Sequence, residues 1–166
     1  MTDLNALIGT REIPTPADMN ALGKQLGEGL VAGDILVLTG PLGAGKTTLT
    51  RGIAEGLGVR GPVQSPTFVV ARTHPSLVGG PALIHVDAYR LGSAAELDDL
   101  DLDLEHAVTI IEWGREMVEA IADEWWELEI DREWHGHGVD SACGTVAREA
   151  ELDADTPRIV TLARRP

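Results

Sequence analysis

An eight-residue glycine-rich segment, Gly40-Pro-Leu-Gly-Ala-Gly-Lys-Thr47, constrains the fold of this chain more than any other feature. It matches the pattern G-x-x-x-x-G-K-[ST] at every position. A short apolar run, Ile35 to Thr39, lies directly before it, and Leu49, Ile53 and Leu57 form an apolar stripe at helical spacing after it. Because the pattern binds phosphate when it joins a buried strand to a helix, this context predicts an α/β fold with a phosphate-binding loop.

The residues of this segment have separate physical roles. Gly40, Gly43 and Gly45 allow backbone angles that turn amide groups toward one anion. Lys46 supplies a positive charge for the β and γ phosphates, and Thr47 places a hydroxyl where Mg²⁺ binds. The predicted nucleotide-binding residues are therefore Gly40, Pro41, Leu42, Gly43, Ala44, Gly45, Lys46, Thr47 and Thr48.

The rest of the chain predicts further elements of such a fold. Thr15 and Pro16 begin a helix that stops near Gly33. Short helical turns are predicted over Ala94 to Asp103, and an amphipathic helix over Arg115 to Ala122. The predicted strands are Thr67 to Arg72, Ala82 to Asp87, Val108 to Glu112, Trp126 to Asp131, Thr145 to Leu152 and Arg158 to Ala163.

These elements predict one domain over residues 1–166. The expected architecture is a P-loop NTPase-like three-layer sandwich, with a mainly parallel central sheet and additional C-terminal strands. A hydrophobic share of 43% with 24% charged residues is ordinary for a globular chain that folds alone.

Two carboxylates end predicted apolar strands. Asp87 follows the run from Ala82 to Val86, and Glu112 follows the run from Val108 to Ile111. In an open α/β sheet, ligands lie beyond the carboxyl ends of the strands, so both side chains are expected near the loop. Phosphoryl hydrolysis needs acidic groups that hold Mg²⁺ and orient water. We predict that Thr47, Asp87 and Glu112 surround the metal, and which carboxylate touches it directly stays open.

The charge balance limits the possible partners. The chain has 13 basic and 27 acidic residues and a formal charge of -14, which would repel a phosphate backbone over most of the surface. We therefore expect no unaided binding to nucleic acid. The chain has only two lysines, Lys24 and Lys46. Lys46 lies in the glycine-rich segment, where a positive charge is needed to bind phosphate.

The sequence also indicates where the chain works. It has no apolar run long enough to cross a bilayer and no leader-like start, which predicts no membrane partner. The single cysteine, Cys143, forms no internal disulfide and fits a reducing compartment. We expect a cytoplasmic protein.

Two segments leave their roles open. Ser65-Pro-Thr67 lies where P-loop hydrolases place a segment that senses the γ-phosphate, but a plain turn at the start of a strand explains it equally well. His135, His137 and Cys143, with Asp140 nearby, do not have the spacing of a standard metal motif. A loop joining two strands accounts for them better than a zinc site.

With these residues in view, the chain resembles the TsaE (YjeE) family, small bacterial ATPases needed to make threonylcarbamoyladenosine in tRNA. The resemblance rests on four segments in the same order. They are Gly40-Pro-Leu-Gly-Ala-Gly-Lys-Thr-Thr48, Ser65-Pro-Thr-Phe68, His85-Val-Asp-Ala-Tyr-Arg-Leu91 and Ile111-Glu-Trp113. They span about the middle half of the chain, and together they are far more specific than the loop alone.

The resemblance implies ATP and Mg²⁺ as ligands and an ATP hydrolase activity. It implies that Glu112, Lys46 and Thr67 act in catalysis and that Trp113 lies beside the nucleotide. It also implies a partnership with the TsaD and TsaB proteins, which transfer the threonylcarbamoyl group, so that tRNA is contacted only indirectly. The chain departs from the family at Pro41, where an aspartate is usual.

Other functions of a P-loop protein fit less well. A small-molecule kinase usually brings several arginines over the phosphates, and the acidic stretch after Arg90 offers no such lid. A GTPase needs a guanine-reading motif with a lysine, and neither Lys24 nor Lys46 lies in one. A nucleotide-gated binding module, in which hydrolysis is incidental, remains the non-enzymatic alternative.

Overall fold

A mixed seven-stranded sheet forms the centre of the computed structural model, which describes residues 2–66, 69–132 and 156–166. The strands are β1 (Gly9–Ile13), β2 (Ile35–Thr39), β3 (Ala71–His74), β4 (Ala82–Asp87), β5 (Ala107–Glu112), β6 (Trp125–Arg132) and β7 (Arg158–Arg165). Their spatial order is β1-β7-β6-β2-β5-β4-β3. The predicted strand Thr145 to Leu152 lies outside the described residues.

The sheet is parallel at its centre and antiparallel at both edges. Strands β6, β2, β5 and β4 run parallel to one another, whereas β3 pairs antiparallel with β4, and β7 pairs antiparallel with β6 and β1. The predicted mainly parallel sheet is therefore wrong. Between His74 and Ala82 the connection is too short for a crossover helix, which a parallel pair requires, so β3 turns back along β4.

In the described ranges, four α-helices accompany the sheet: α1 (Pro16–Gly29), α2 (Lys46–Leu57), α3 (Ala94–Asp98) and α4 (Arg115–Val118). Short 3-10 helices cover Leu4–Leu7 and Ala88–Arg90. The predicted start of α1 is present, since the Thr15 hydroxyl accepts a hydrogen bond from the Asp18 amide at 3.1 Å. Helix α4 is shorter than predicted, because after Val118 the chain continues only as hydrogen-bonded turns to Ala122.

Helices cover both faces of the sheet. On β2, Leu36 and Leu38 belong to one apolar cluster, which also contains Leu26 of α1 and Leu49 of α2. Successive side chains of a strand point to opposite faces. The alternate positions Ile35 and Val37 accordingly pack in a second cluster with Leu97 of α3 and Val118 of α4. This double cover explains why the first four residues of β2, Ile35 to Leu38, are all apolar.

Glycines allow α1 and α2 to approach until their backbones touch. A Cβ atom on Gly23 would lie 2.3 Å from the Leu49 carbonyl oxygen, and one on Gly52 would lie 2.2 Å from that of Asn20. Gly27 and Gly56, one turn further along each helix, face the same restriction. The contact fixes α2 against α1, and therefore also fixes the loop from which α2 begins.

The longest helix in the described part of the chain, α1, has 14 residues. About 20 consecutive apolar residues are needed to cross a bilayer as a helix. None of the described helices is therefore long and apolar enough to span a membrane.

Candidate functional site

The loop between β2 and α2 has the backbone shape that its glycines predict. Gly43 and Gly45 have φ angles of 73° and 109°, in the region that favours glycine. Gly45 is the residue before α2, and it supplies no side chain to bond the first helical amides. A Cβ atom at Gly40 would lie 2.7 Å from the Ile130 carbonyl oxygen, so this glycine lets the loop pass close to β6.

Lys46 is the first residue of α2, and its side chain folds back over the loop. Its residue is only 7% exposed. The Nζ atom donates hydrogen bonds to the carbonyl oxygens of Gly40 at 2.7 Å and Pro41 at 3.1 Å. Burial lowers the pKa of the Lys46 amine, and the negative charges of Glu112 and Asp87 oppose that effect. The structure thus holds a partly desolvated cation beside two carboxylates.

Asp87 and Glu112 lie side by side at the carboxyl ends of neighbouring parallel strands. They are register partners in the β4 and β5 pair. Both residues are buried, with 7% and 5% exposure. The Asp87 carboxylate also accepts a hydrogen bond from the Tyr89 amide at 3.2 Å, which ties it to the start of the next turn.

A cleft of about 720 Å³ brings most of the predicted residues together. It is lined by Leu42, Gly43, Gly45, Lys46, Thr47, Thr48, Ser65, Asp87, Tyr89, Glu112 and Trp113. The remaining loop residues support it in other ways. The Pro41 carbonyl oxygen accepts hydrogen bonds from Lys46 Nζ and from the Ala44 amide, contacts that a proline makes as well as any other residue. Ala44, which is itself a loop residue, is buried, with 1% exposure.

An aromatic pair forms one wall of this cleft. Trp113 has a positive φ of 62° and is 40% exposed. Its ring lies 4.4 Å from Lys46 Nζ, a cation–π contact. Tyr89 meets it edge-on with ring centres 5.8 Å apart. The structure therefore places Trp113 next to the loop lysine.

His85 also belongs to the site. The sequence did not predict this, because nothing about a histidine within an apolar strand indicated a role for it. Its Nε2 atom lies 2.9 Å from Glu112 Oε1, and the His85 side chain is fully buried. Alternation along β4 offered one signal, because residues two apart share a face, and His85 is two residues before Asp87. In the described part of the chain, His85 Nδ1 is buried without a hydrogen-bond partner.

A second, smaller cleft adjoins the same loop. Its volume is about 260 Å³. Ile13 and Met19 supply apolar wall, while Gly43, Ala44 and Thr48 belong to the loop and the start of α2. Arg158 also lines this small cleft, so each of the two clefts beside the loop contains a charged side chain.

Two sets of predicted residues cannot be placed. Thr67 lies outside the described residues, and so do His135, His137, Asp140 and Cys143. Within the described ranges, no three histidine, cysteine or acidic side chains are grouped so as to hold a metal ion by themselves. Mg²⁺ commonly binds through one or two protein carboxylates together with phosphate oxygens and water.

Comparison with known families assigns the chain. The family model described as threonylcarbamoyl adenosine biosynthesis protein TsaE matches residues 13–138. The chain belongs to the TsaE family. The match covers the loop and both strand-end carboxylates, and it ends before β7. The family resemblance predicted from four sequence segments is thereby confirmed.

Individual TsaE proteins are similar over most of the chain. The tRNA threonylcarbamoyladenosine biosynthesis protein TsaE of Streptomyces coelicolor is 58% identical over 117 residues, which are 69% of this chain and 79% of that protein. The protein of the same name from Mycobacterium tuberculosis is 49% identical over 136 residues, 76% of this chain and 81% of that one.

A solved structure supports the same architecture. The crystal structure of Bacillus subtilis YdiB superposes with a TM-score of 0.63 and 29% sequence identity. The superposition covers 93% of this chain and 84% of YdiB. A mixed α/β sheet with helices is thus shared with a solved protein.

Proposed function

We propose that this chain is a Mg²⁺-dependent ATPase that supports the formation of threonylcarbamoyladenosine in tRNA. The observation that carries the proposal is the single cleft shared by Lys46, Thr47, Asp87 and Glu112. A phosphate-binding loop, a loop lysine and carboxylates at neighbouring strand ends are the parts that P-loop hydrolases use. Membership of the TsaE family supplies the biological process.

The loop would hold the triphosphate through main-chain amides and the positive end of α2. Helix α2 begins directly at Lys46, and Gly45 leaves its first amides without a side-chain cap. Lys46 now donates to two loop carbonyls, and on binding it would turn to the β and γ phosphates. ATP is favoured over GTP because the sequence has no lysine in a guanine-reading motif.

The donor set suits Mg²⁺. Hydroxyl and carboxylate oxygens are the ligands that this ion prefers, and Thr47, Asp87 and Glu112 offer them within one cleft. When bound, the ion would neutralise charge on the phosphate oxygens.

Glu112 is the residue we assign to the attacking water. Its carboxylate is buried at the end of β5 and is held at one oxygen by His85, so its direction is fixed before substrate arrives. A carboxylate held in this way can orient a water molecule toward the γ-phosphate. Trp113 and Tyr89 would shield the cleft from bulk water on one side.

The family resemblance suggests TsaD- and TsaB-like proteins as the partners of this ATPase. The formal charge of -14 argues that tRNA is contacted by those partners rather than by this chain. A cytoplasmic location remains a prediction from the sequence.

Single-turnover hydrolysis tests the proposal. The chain is mixed with Mg²⁺ and a limiting amount of ATP, with and without the two partner proteins, and phosphate release is followed. We expect release that depends on Mg²⁺ and is faster with the partners. ATP-dependent partner binding without phosphate release would instead identify a nucleotide-gated binding module. Retention of labelled tRNA on a filter by the isolated chain at physiological salt would contradict the indirect contact.

A further inference from the structure

Two arginines on the paired strands β6 and β7 donate hydrogen bonds to carbonyl oxygens of the phosphate loop. Arg132 is the last residue of β6 and Arg158 is the first residue of β7. They are register partners, directly opposite each other in the antiparallel pair. Neither residue was singled out by its sequence context, and Arg158 lies beyond the part of the chain that the family model matches.

Their guanidinium groups reach three successive carbonyl oxygens of the loop. Arg132 Nη2 donates to the Leu42 oxygen at 3.1 Å. Arg158 donates from Nε to the Ala44 oxygen at 3.2 Å and from Nη2 to the Gly43 oxygen at 3.4 Å. Arg158 is 7% exposed, and a bond from Nη1 to the Thr156 oxygen at 2.7 Å fixes its planar group.

Lys46 completes the pattern. Its Nζ binds the carbonyl oxygens of Gly40 and Pro41, so the five carbonyl oxygens of residues 40–44 all accept a hydrogen bond from a cationic side chain. When Lys46 turns to a phosphate, the carbonyl oxygens of Gly40 and Pro41 lose their hydrogen-bond donor. The other three keep theirs, because neither Arg132 nor Arg158 lines the large cleft.

The direction of each loop carbonyl group fixes the direction of the N–H group in the same peptide unit. In a trans peptide the N–H group points away from the carbonyl of the same unit. Arginine bonds to the Leu42 and Ala44 oxygens therefore turn the Gly43 and Gly45 amides away from β6 and β7. A hydrogen bond to a charged donor also polarises the peptide unit, which makes its N–H a stronger donor to an anion.

We propose that Arg158, assisted by Arg132, is a positioning residue that holds the phosphate loop in its anion-binding conformation. Arginine suits this role, since its planar guanidinium holds its donors in a fixed fork, whereas the donors of a lysine rotate about a single nitrogen. The effect on ATP affinity rests on the proposed function, whereas the effect on the loop itself does not.

The test compares four variants of the full chain with the wild type: Arg158→Gln, Arg158→Lys, Arg132→Gln and the control Arg164→Gln. Arg164 lies on the same strand as Arg158 but pairs with Glu124, away from the loop. Amide hydrogen exchange of the loop segment 42–46 is measured without nucleotide. Calorimetry with Mg²⁺-ATP and with inorganic tripolyphosphate then gives the dissociation constants.

We expect Arg158→Gln to speed exchange of the loop amides and to raise both dissociation constants about tenfold to a hundredfold. Arg158→Lys should recover only part of the affinity, Arg132→Gln should show a smaller loss, and Arg164→Gln should match the wild type. Because Arg132 is exposed, its variant keeps the test valid if Arg158→Gln fails to fold.

Two results would separate the positioning role of the arginines from the proposed ATPase function. Loop exchange and phosphate affinity unchanged in Arg132→Gln and in Arg158→Lys would overturn the positioning role. Faster loop exchange in these variants, combined with a wild-type chain that binds no ATP, would support the positioning role and reject the proposed ATPase function instead.

Discussion

The imidazole of His85 and the carboxylate of Glu112 form a buried pair, with 2.9 Å between Nε2 and Oε1. The two side chains are 0% and 7% exposed. The residues are 27 positions apart in the chain and meet because β4 and β5 are adjacent. This contact directs the carboxylate that we assign to the attacking water, and it motivates the first two predictions.

Replacing His85 should slow hydrolysis without weakening nucleotide binding. His85→Ala removes the donor that orients Glu112, so we expect the rate of the chemical step to fall about tenfold. His85→Gln places an amide nitrogen at a similar reach and should restore part of the rate. Single-turnover phosphate release and ATP calorimetry measure the two effects. Equal losses in the Ala and Gln variants would show that His85 serves only packing.

Replacing Glu112 should strongly slow ATP hydrolysis and leave ATP binding nearly unchanged. Removal of a positioned acid or base typically costs about a hundredfold or more in rate, so Glu112→Ala should release phosphate at least about a hundred times more slowly. Its ATP dissociation constant should stay within a few-fold of the wild type. Phosphate release at the wild-type rate, with saturating ATP and partner proteins, would remove Glu112 from this role.

Lys46→Ala should weaken ATP binding. The variant loses the charge that turns to the β and γ phosphates, and hydrogen bonds to charged groups are worth roughly 1.5–3 kcal/mol. We therefore expect the ATP dissociation constant to rise at least about tenfold by calorimetry. Lys24→Ala is the matched control, since it removes the other lysine at an exposed position on α1. Similar affinities in the two variants would contradict the assignment.

Gly52→Ala should destabilise the fold. The added Cβ would lie 2.2 Å from the Asn20 carbonyl oxygen, so α1 and α2 must move apart. Overpacking of this kind typically costs about 1–3 kcal/mol in the free energy of unfolding, and backbone contact puts this site at the upper end. Gly80→Ala is the control, because its nearest neighbour is 3.8 Å away. Urea unfolding of both variants measures the difference, and equal stabilities would refute it.

His74 should make the fold less stable at acidic pH. Burial lowers the pKa of His74 and outweighs the hydrogen bond between Nδ1 and the Arg60 carbonyl oxygen at 3.1 Å. The unfolded state then binds more protons than the folded state between the folded pKa and the ordinary value of 6.5, so stability rises with pH in this window. His74→Gln should reduce the loss of stability between pH 7 and pH 5 in urea unfolding.

His106 provides a control of opposite sign. Its hydrogen bond to Asp103 raises the pKa of the exposed imidazole, so its contribution is fully present below pH 6.5 and is lost as the pH rises through the folded value. His106→Gln should therefore leave the acid loss unchanged or slightly larger. Identical pH slopes for the wild type and His74→Gln would exclude His74 as a source of acid sensitivity.

The sequence alone identified the elements whose signal is local. The loop from Gly40 to Thr47 is a run of consecutive residues with a fixed pattern. It is one of the four segments on which the family resemblance of the chain rests, and that resemblance is confirmed. Asp87 and Glu112 were found because each ends an apolar strand, and the structure brings both to the cleft beside the loop. Local chemistry and strand-end geometry were sufficient for these predictions.

Tertiary structure decided whatever depends on residues that are distant in the chain. The antiparallel edges follow from strand pairing, and β1, which pairs with β7, was not predicted. Arg158 reaches Ala44 across 114 positions, a contact that no local pattern announces. His85 finds Glu112 only when β4 lies against β5. Sequence identified the groups that we propose to bind phosphate. Folding decided which side chains contact them, because contact depends on three-dimensional proximity rather than on spacing along the chain.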